Sequence, residues 1–456
     1  MRGRHGPRRA APGHPRALAR GARITCTFEQ MGPDGEALGR GGGRIVAVPY
    51  AAPGDQATVE ITEPDRKPAR GRLVALREPA AGAGEPLCPH FGDCGGCQWQ
   101  HLDYAVQLEQ KTRLVREALG PGLPDLPVEP AVGWGPPWGY RSLLEAAAAA
   151  PSQSPALGFY AWGSDRVIDI QTCPVQHPAN VVLLEAVRAR WPRLPDGPRL
   201  RGVLGRVGSA TGEVLLGLAV GGRLDAGART AVVRALLDRI PGLVGIVEIA
   251  APPAGHLLRS RRSSLLWGRA WVREEVAGVR YRVPLLAEFP ANPRAFAGAV
   301  ELVLGALDAS RDDTVVEIGA GIGAYTLQLA LATGRAVGVT TGALLAAARA
   351  NARHNGLENC TFYARDVVRA VEKAARVRGV GCALIRPQGG ALAPAVVRAL
   401  RRAGVRRLAY LGRSLRGLDR DAAALRAGGY LLRWARPLDM SPHTSRTSVL
   451  MLAEAR

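Results

Sequence analysis

At 456 residues the chain has room for roughly two to four domains, each able to bury its own core. The net charge of +21 points to a polyanionic partner, most simply nucleic acid, although only three of the 60 Lys and Arg residues are lysines (Lys67, Lys111, Lys373), an arginine-heavy usage that a GC-rich genome tends to encode. No apolar run of about 18 residues occurs, which argues against a membrane-spanning helix, and seven cysteines, an odd number, favour a reducing, cytoplasmic setting over a disulfide framework.

Residues 1–20 carry six arginines and no acid, and lack the apolar core of a secretory signal; they read as a disordered basic arm able to touch phosphates. Residues 21–78 are expected to be all-β. Ile24–Phe28, Gly43–Pro49 and Ala57–Ile61 are β-rich and separated by Gly, Pro and Asp turns, the pattern of a small barrel. A linker over 79–84 opens a second region, 79–284, read as mixed α+β. It begins with the cysteine segment and a helix over 105–119 with apolar positions Val106, Leu108, Leu114, Val115 and Leu119. Residues 285–456 alternate strand-like and helical runs, which predicts a doubly wound α/β domain.

Two motifs carry chemistry. Cys88, Cys94 and Cys97 are spaced C-x5-C-x2-C, and Cys173 follows 76 residues later, beyond a predicted hairpin that can fold back onto them. Four thiolates suit a soft, thiophilic centre, either an iron–sulfur cluster or structural zinc. The second motif is Val315-Val-Glu317-Ile-Gly319-Ala-Gly321-Ile-Gly323, a hydrophobic strand running into a glycine-rich turn before a helix. Such a turn serves dinucleotides or S-adenosylmethionine. Glu317 and the downstream run to Asp366 favour the methyltransferase reading. At the tip of the second strand, however, stand Thr340 and Thr341 and no acid. That counts against dinucleotides and also weakens ordinary S-adenosylmethionine binding, because a carboxylate accepts from both ribose hydroxyls. The candidate cofactor contacts are Glu317, Gly319, Gly321, Gly323, Thr340 and Asp366.

Gly35–Arg40 followed by Val48–Gly54 resembles a TRAM domain, an OB-like RNA-binding barrel. With the cysteine segment and its Gln98-Trp-Gln-His101, Gly158–Tyr160 through Cys173-Pro-Val-Gln-His177, and Asp439-Met-Ser-Pro-His443-Thr444, the chain resembles the RNA (uracil-C5)-methyltransferase family from about residue 21 to 456. The resemblance implies a small OB-like β-barrel, an α+β central domain and a C-terminal class I S-adenosylmethionine-dependent methyltransferase domain. It also implies a 4Fe–4S cluster on Cys88, Cys94, Cys97 and Cys173, preferred over zinc, and a ribosomal or transfer RNA partner, with a monomer expected. The family's chemistry needs a cysteine to attack uracil C6, a carboxylate to remove the C5 proton, and an acid after the fourth strand. In this sequence those positions hold Arg413, Ser448 and Arg386, the last in Arg386-Pro-Gln-Gly389, and Pro290 replaces a glutamine. From residue 383 onward there is no cysteine, and the only acids are Asp419, Asp421, Asp439 and Glu454. The resemblance therefore implies an RNA-binding member that has lost uracil C5-methylation. The alternatives are an active methyltransferase with altered chemistry and a redox-responsive iron–sulfur RNA-binding protein.

Overall fold

The computed structural model describes residues 18–120, 122–149, 156–190, 200–251, 256–260, 262–364, 366–377, 379–387 and 391–456. Most of the expected basic arm and Gln388 and Gly389 lie outside these residues. Leu18, assigned to the arm, is instead buried with the barrel's apolar cluster, which its aliphatic side chain joins.

Five strands, β1 (Arg23–Met31), β2 (Ala37–Gly41), β3 (Arg44–Val48), β4 (Gln56–Glu63) and β5 (Ala69–Glu78), close into a barrel in the order β1-β2-β3-β5-β4. Along β4, Ala57, Val59 and Ile61 point inward and Thr58 and Glu60 outward, the period of two that one buried face requires. Closure leaves no free sheet edge.

Helix α1 (Tyr104–Leu119) follows the cysteine segment. Its buried face differs from the one apolar periodicity selects. Val106 and Leu108 are only half-buried, whereas Gln107, Gln110 and Lys111 are buried beside Leu114, Val115 and Leu119. The first half of the helix faces backbone polar groups, and its side chains satisfy them: Gln107 Nε2 donates to Leu102 O at 2.9 Å, and Met31 N–H at the end of β1 donates to Gln110 Oε1 at 3.1 Å, tying helix to barrel.

The central region is a seven-stranded sheet made of β6 (Leu143–Ala148), β7 (Leu157–Tyr160), β8 (Val167–Asp169), β9 (Leu200–Val207), β10 (Val214–Val220), β11 (Leu243–Ala250) and β12 (Ser263–Gly268). The order is β12-β11-β10-β9-β6-β7-β8. Helices α2 (Pro178–Arg190) and α3 (Ala226–Leu236) pack on it around Leu183, Leu216 and Val232. A hairpin of β13 (Trp271–Val276) and β14 (Val279–Pro284) then joins the C-terminal core, where the Tyr281 hydroxyl donates to Ala324 O at 2.8 Å.

The C-terminal region runs α4 (Pro293–Leu307), β15 (Thr314–Ile318), α5 (Ala324–Ala332), β16 (Arg335–Val339), α6 (Gly342–His354), β17 (Cys360–Tyr363), α7 (Val367–Val377), β18 (Cys382–Ile385), α8 (Pro394–Arg402), β19 (Arg407–Gly412), α9 (Leu418–Ala427), β20 (Tyr430–Leu438) and β21 (Ser448–Ala455). The sheet order is β17-β16-β15-β18-β19-β21-β20. β15 to β19 are parallel, and β21 is antiparallel to both β19 and β20. The parallel strands β15, β16, β18 and β19 are buried under two separate apolar clusters, as their near-continuous hydrophobic sequences demand, while the edge strand β17 is only partly covered. After β15 the chain moves outward to β16 and β17, then returns to lay β18 on the other side of β15. This reversal creates a crevice at the carboxyl ends of the strands. No helix among the described residues is long and apolar enough to cross a membrane.

Candidate functional site

The structure brings Cys88, Cys94, Cys97 and Cys173 to the wall of one cavity of about 480 Å³. The β7–β8 hairpin folds back as its sequence suggests: Gly95 N–H donates to Tyr160 O at 2.9 Å, and Cys94 bridges Ala161. Gly95 suits this close approach, because a Cβ there would lie 3.0 Å from both Trp162 N and Tyr160 O and the hairpin would have to give way. Gly96 N–H donates to the Cys94 sulfur at 3.4 Å. Burial pushes the Cys94 thiol up to about 11 and Cys97 to about 12, and neighbouring cysteines push in the same direction. Burial also raises Cys88 and Cys173, against backbone N–H groups that favour their thiolates. These thiols therefore stay protonated unless a cationic centre replaces the protons. Among the described residues, no group of three or more His, Cys, Asp or Glu is arranged to hold a metal ion.

Behind this wall the Asp439–Thr444 segment joins the three regions. Gln98 and Trp99 N–H groups both donate to His443 O, at 2.9 and 3.0 Å. His443 N–H donates to Gln107 Oε1 at 2.8 Å, and Gln107 Nε2 reaches Trp99 O and Leu102 O. The Trp99 indole N–H donates to Gly35 O of the barrel at 3.1 Å. Trp99 is fully buried, so it serves packing and is closed to base stacking; Phe159 is half-buried against the central core. Lys111 and Asp439 form an ion pair at 2.6 Å with no exposure on either side chain. The Tyr140 hydroxyl donates to Pro442 O at 3.1 Å, and its ring packs with Cys97 and Val175. His443 stacks on Trp138 with ring centres 3.9 Å apart. His101 holds Ala51 O at 3.0 Å, and His177 Nδ1 accepts Ala179 N–H at the start of α2. These histidines pack or cap.

The third locus is the crevice beside β15. Gly319, Gly321 and Gly323 all have positive φ, at 89°, 57° and 88°. Glu317 is fully buried and accepts the Thr326 hydroxyl. Thr340 Oγ1 donates to Gly321 O at 2.7 Å. Asp366 is exposed and its carboxylate accepts Arg369 N–H at 3.1 Å, capping α7. Arg386 Nη1 donates to Glu317 Oε1 at 3.0 Å and to Gly319 O at 3.3 Å.

Residues 18–74 match the TRAM domain. Over 97% of its length the chain is 30% identical to an uncharacterized RNA methyltransferase of Gloeobacter violaceus, covering 99% of that protein. It is likewise 30% identical to an uncharacterized RNA methyltransferase of Thermosynechococcus vestitus, over 95% of this chain and 98% of the relative. This chain belongs to the RNA methyltransferase family. Its fold is similar to the crystal structure of a Pyrococcus abyssi tRNA (uracil-54, C5)-methyltransferase in complex with S-adenosyl-L-homocysteine, with a TM-score of 0.73 at 20% identity over 94% of this chain and 99% of the other.

In this family member the positions that the resemblance marks as catalytic lie at one end of the C-terminal sheet. Gly412 pairs with Val449 across β19 and β21, so the register sets Arg413 and Ser448 side by side. Ile385 pairs with Tyr410, which puts Arg386 at the tip of the next strand. Arg413 Nη1 donates to Glu288 Oε2 at 3.2 Å, with both side chains about half exposed. Of the two remaining cysteines in this region, Cys382 is buried and Cys360 half-buried, both at strand starts away from that end. Gln107, Lys111 and Tyr140 escape a motif search. The available signal was Gln107 and Lys111 one helical turn apart on one face of an otherwise amphipathic helix.

Proposed function

We propose that this RNA methyltransferase family member binds RNA without methylating uracil at C5. The observation that carries the reading is the Gly412–Val449 pair of β19 and β21, one residue beyond which Arg413 and Ser448 come side by side at the strand tips. Uracil C5 becomes nucleophilic only after a thiolate adds to C6, and the adduct resolves only when a base takes the C5 proton. A guanidinium stays protonated at neutral pH and can do neither. A serine hydroxyl, with a pKa far above that of a carboxylic acid, is a poor substitute for a carboxylate base. RNA binding is supported by the TRAM match, the +21 charge and the arginines at the strand tips, which suit phosphate. The RNA is proposed to be transfer or ribosomal, in a cytoplasmic setting.

Cys88, Cys94, Cys97 and Cys173 would hold a 4Fe–4S cluster. The four-thiol donor set and the shared cavity support this assignment. When bound, such a group supplies either a structural clamp or a redox-active centre. The residues around it fix the hairpin, the Gln98–Trp99 backbone and α1 in place.

The test is incubation of anaerobically purified protein with unmodified transfer and ribosomal RNA and labelled S-adenosylmethionine, read by nucleoside mass spectrometry alongside filter binding. The expected result is salt-sensitive RNA binding and no 5-methyluridine; appearance of 5-methyluridine overturns the reading. The retained left-handed glycine turn supports a second reading, methyl transfer to a different, already nucleophilic acceptor. Any other methylated nucleoside would favour it.

A further inference from the structure

Arg386 occupies a position with chemical consequences of its own. It follows β18 directly, and its backbone N–H donates to Ile318 O at 2.9 Å, which continues the β15–β18 ladder by one step. β15 and β18 flank the reversal of strand order, and ligands of doubly wound sheets bind in the crevice outside that point. From there the side chain turns across the glycine turn. One nitrogen serves both Glu317 Oε1 and Gly319 O, and the guanidinium lies 4.6 Å from the centre of the Tyr325 ring, on the first turn of α5. These contacts span the floor of the crevice from strand to helix. The Arg386 side chain is only 16% exposed and Glu317 not at all.

A carboxylate buried this deeply needs a cation or a proton. S-adenosylmethionine would bring a net positive charge, from a sulfonium and an ammonium against one carboxylate. In this chain the countercharge is already covalently present. A second cation entering the crevice would meet Arg386 at close range in a poorly screened site. Thr340 adds an independent obstacle. Its proton is committed to Gly321 O, and the tip of β16 carries Thr340 and Thr341 in place of a carboxylate that would accept from both ribose hydroxyls. The residues present therefore do not fit the cofactor that the fold implies.

We propose that Arg386 is a built-in occupant of the cofactor crevice, pairing with Glu317 and the glycine turn so that the site excludes S-adenosylmethionine. This goes beyond loss of the uracil nucleophile, since a chain lacking that thiol has no reason on that account to lose its cofactor.

The test is calorimetric titration of S-adenosylmethionine and S-adenosylhomocysteine into the cluster-loaded full-length protein, as wild type and as Arg386→Ser. The fold of each is checked by circular dichroism and melting. Wild type is expected to give no saturable binding at micromolar concentrations. Arg386→Ser is expected to bind at least tenfold more tightly than wild type. Micromolar binding of S-adenosylmethionine by wild type overturns the proposal, as does a folded Arg386→Ser that binds no better than wild type. Should Arg386→Ser not fold, Arg386→Gln, which removes the charge but keeps a hydrogen-bonding side chain beside Glu317, decides in its place. A gain of binding in that variant supports the proposal, and none overturns it. If a variant gains cofactor without forming 5-methyluridine, the reading of the strand tips stands; if it forms 5-methyluridine, that reading alone fails.

Discussion

Replacing Lys111 with methionine tests the idea that a buried polar junction holds the three regions together. Lys111 Nζ donates to Asp439 Oδ1 at 2.6 Å, to Arg446 O at 3.2 Å and to Ser441 O at 3.3 Å. Both partners of the ion pair have zero side-chain exposure. Methionine keeps the length and apolar volume of the side chain but removes the charge. Asp439 Oδ1 then retains the Ser441 N–H at 3.0 Å, and the carboxylate is left with only the neutral Tyr104 hydroxyl nearby in place of the ammonium. An uncompensated buried charge of this kind costs about 3–5 kcal/mol. At about 2–4 °C per kcal/mol for a domain of this size, the melting temperature should fall by roughly 6–20 °C. Adding Asp439→Asn removes the stranded charge and should recover most of the loss. The assay is a melting series of the wild type, the two single variants and the double variant at one scan rate. Because the Asp439–Thr444 segment supports the backbone of Gln98 and Trp99, Lys111→Met should also lower iron retention. A Lys111→Met protein that melts within about 2 °C of wild type, or an Asp439→Asn that fails to rescue it, would refute the reasoning.

Burial and the Lys111 charge push the His443 pKa down to about 4 from 6.5, so the unfolded chain binds more protons than the folded one between those values. Stability should therefore fall as pH drops from about 6.5 to about 4, by roughly 3 kcal/mol in all, and His443→Phe should flatten that part of a pH–melting profile; an unchanged slope counts against it. Cys97→Ser should abolish the iron and sulfide content that anaerobic reconstitution gives, about four irons per chain, whereas a wild type holding one zinc and no sulfide would sink the cluster assignment. Arg413→Cys should leave stability within about 1 kcal/mol, since the pair with Glu288 is half exposed, and should not create 5-methyluridine while Ser448 remains; product formation would show that the thiol alone was missing. Gly319→Ala should cost more than about 2 kcal/mol, because φ is 89° and the new Cβ would lie 2.3 Å from Arg386 O; a melting curve matching wild type would show that the turn relaxes freely.

The sequence was most legible where one physical signal dominates. Period-two alternation marked β1, β3 and β4, and the strand–glycine–helix pattern marked β15 to α5, because burial of one face or both leaves little freedom in residue choice. β2, with Gly39 and Gly41 among its five residues, and β5, with its three arginines, carried too weak a hydrophobic signal to be marked as strands. α1 is legible as a helix, but its apolar positions do not mark the buried face of its N-terminal half. Apolarity is a guide to burial only where the facing surface is apolar, and here that surface is a set of loop carbonyls. The register of β19 against β21 depends on an antiparallel insertion that no local pattern encodes. The ion pair of Arg386 with Glu317 was illegible for a different reason. The two residues are 69 positions apart, and their meeting follows from β15 and β18 being neighbours.

The buried junction and the strand tips answer to different constraints. Gln107, Lys111, Asp439 and His443 are buried and bonded to one another or to the loops beside them, so changing any one leaves an unsatisfied partner and costs stability. Arg413 is half exposed and Ser448 partly so, and a thiol or carboxylate can be lost there at little thermodynamic cost. The junction would therefore persist in a chain of this fold whether or not it methylates RNA, and its presence carries no information about catalysis. Arg386 is the exception at the strand tips. It touches a fully buried carboxylate, so an acid at that position would place two like charges against each other unless one took up a proton or a ligand cation sat between them. A pocket built around Arg386 and Glu317 is stable when empty. A pocket built around two acids needs its cationic ligand. The difference between these two designs is what the cofactor titration measures.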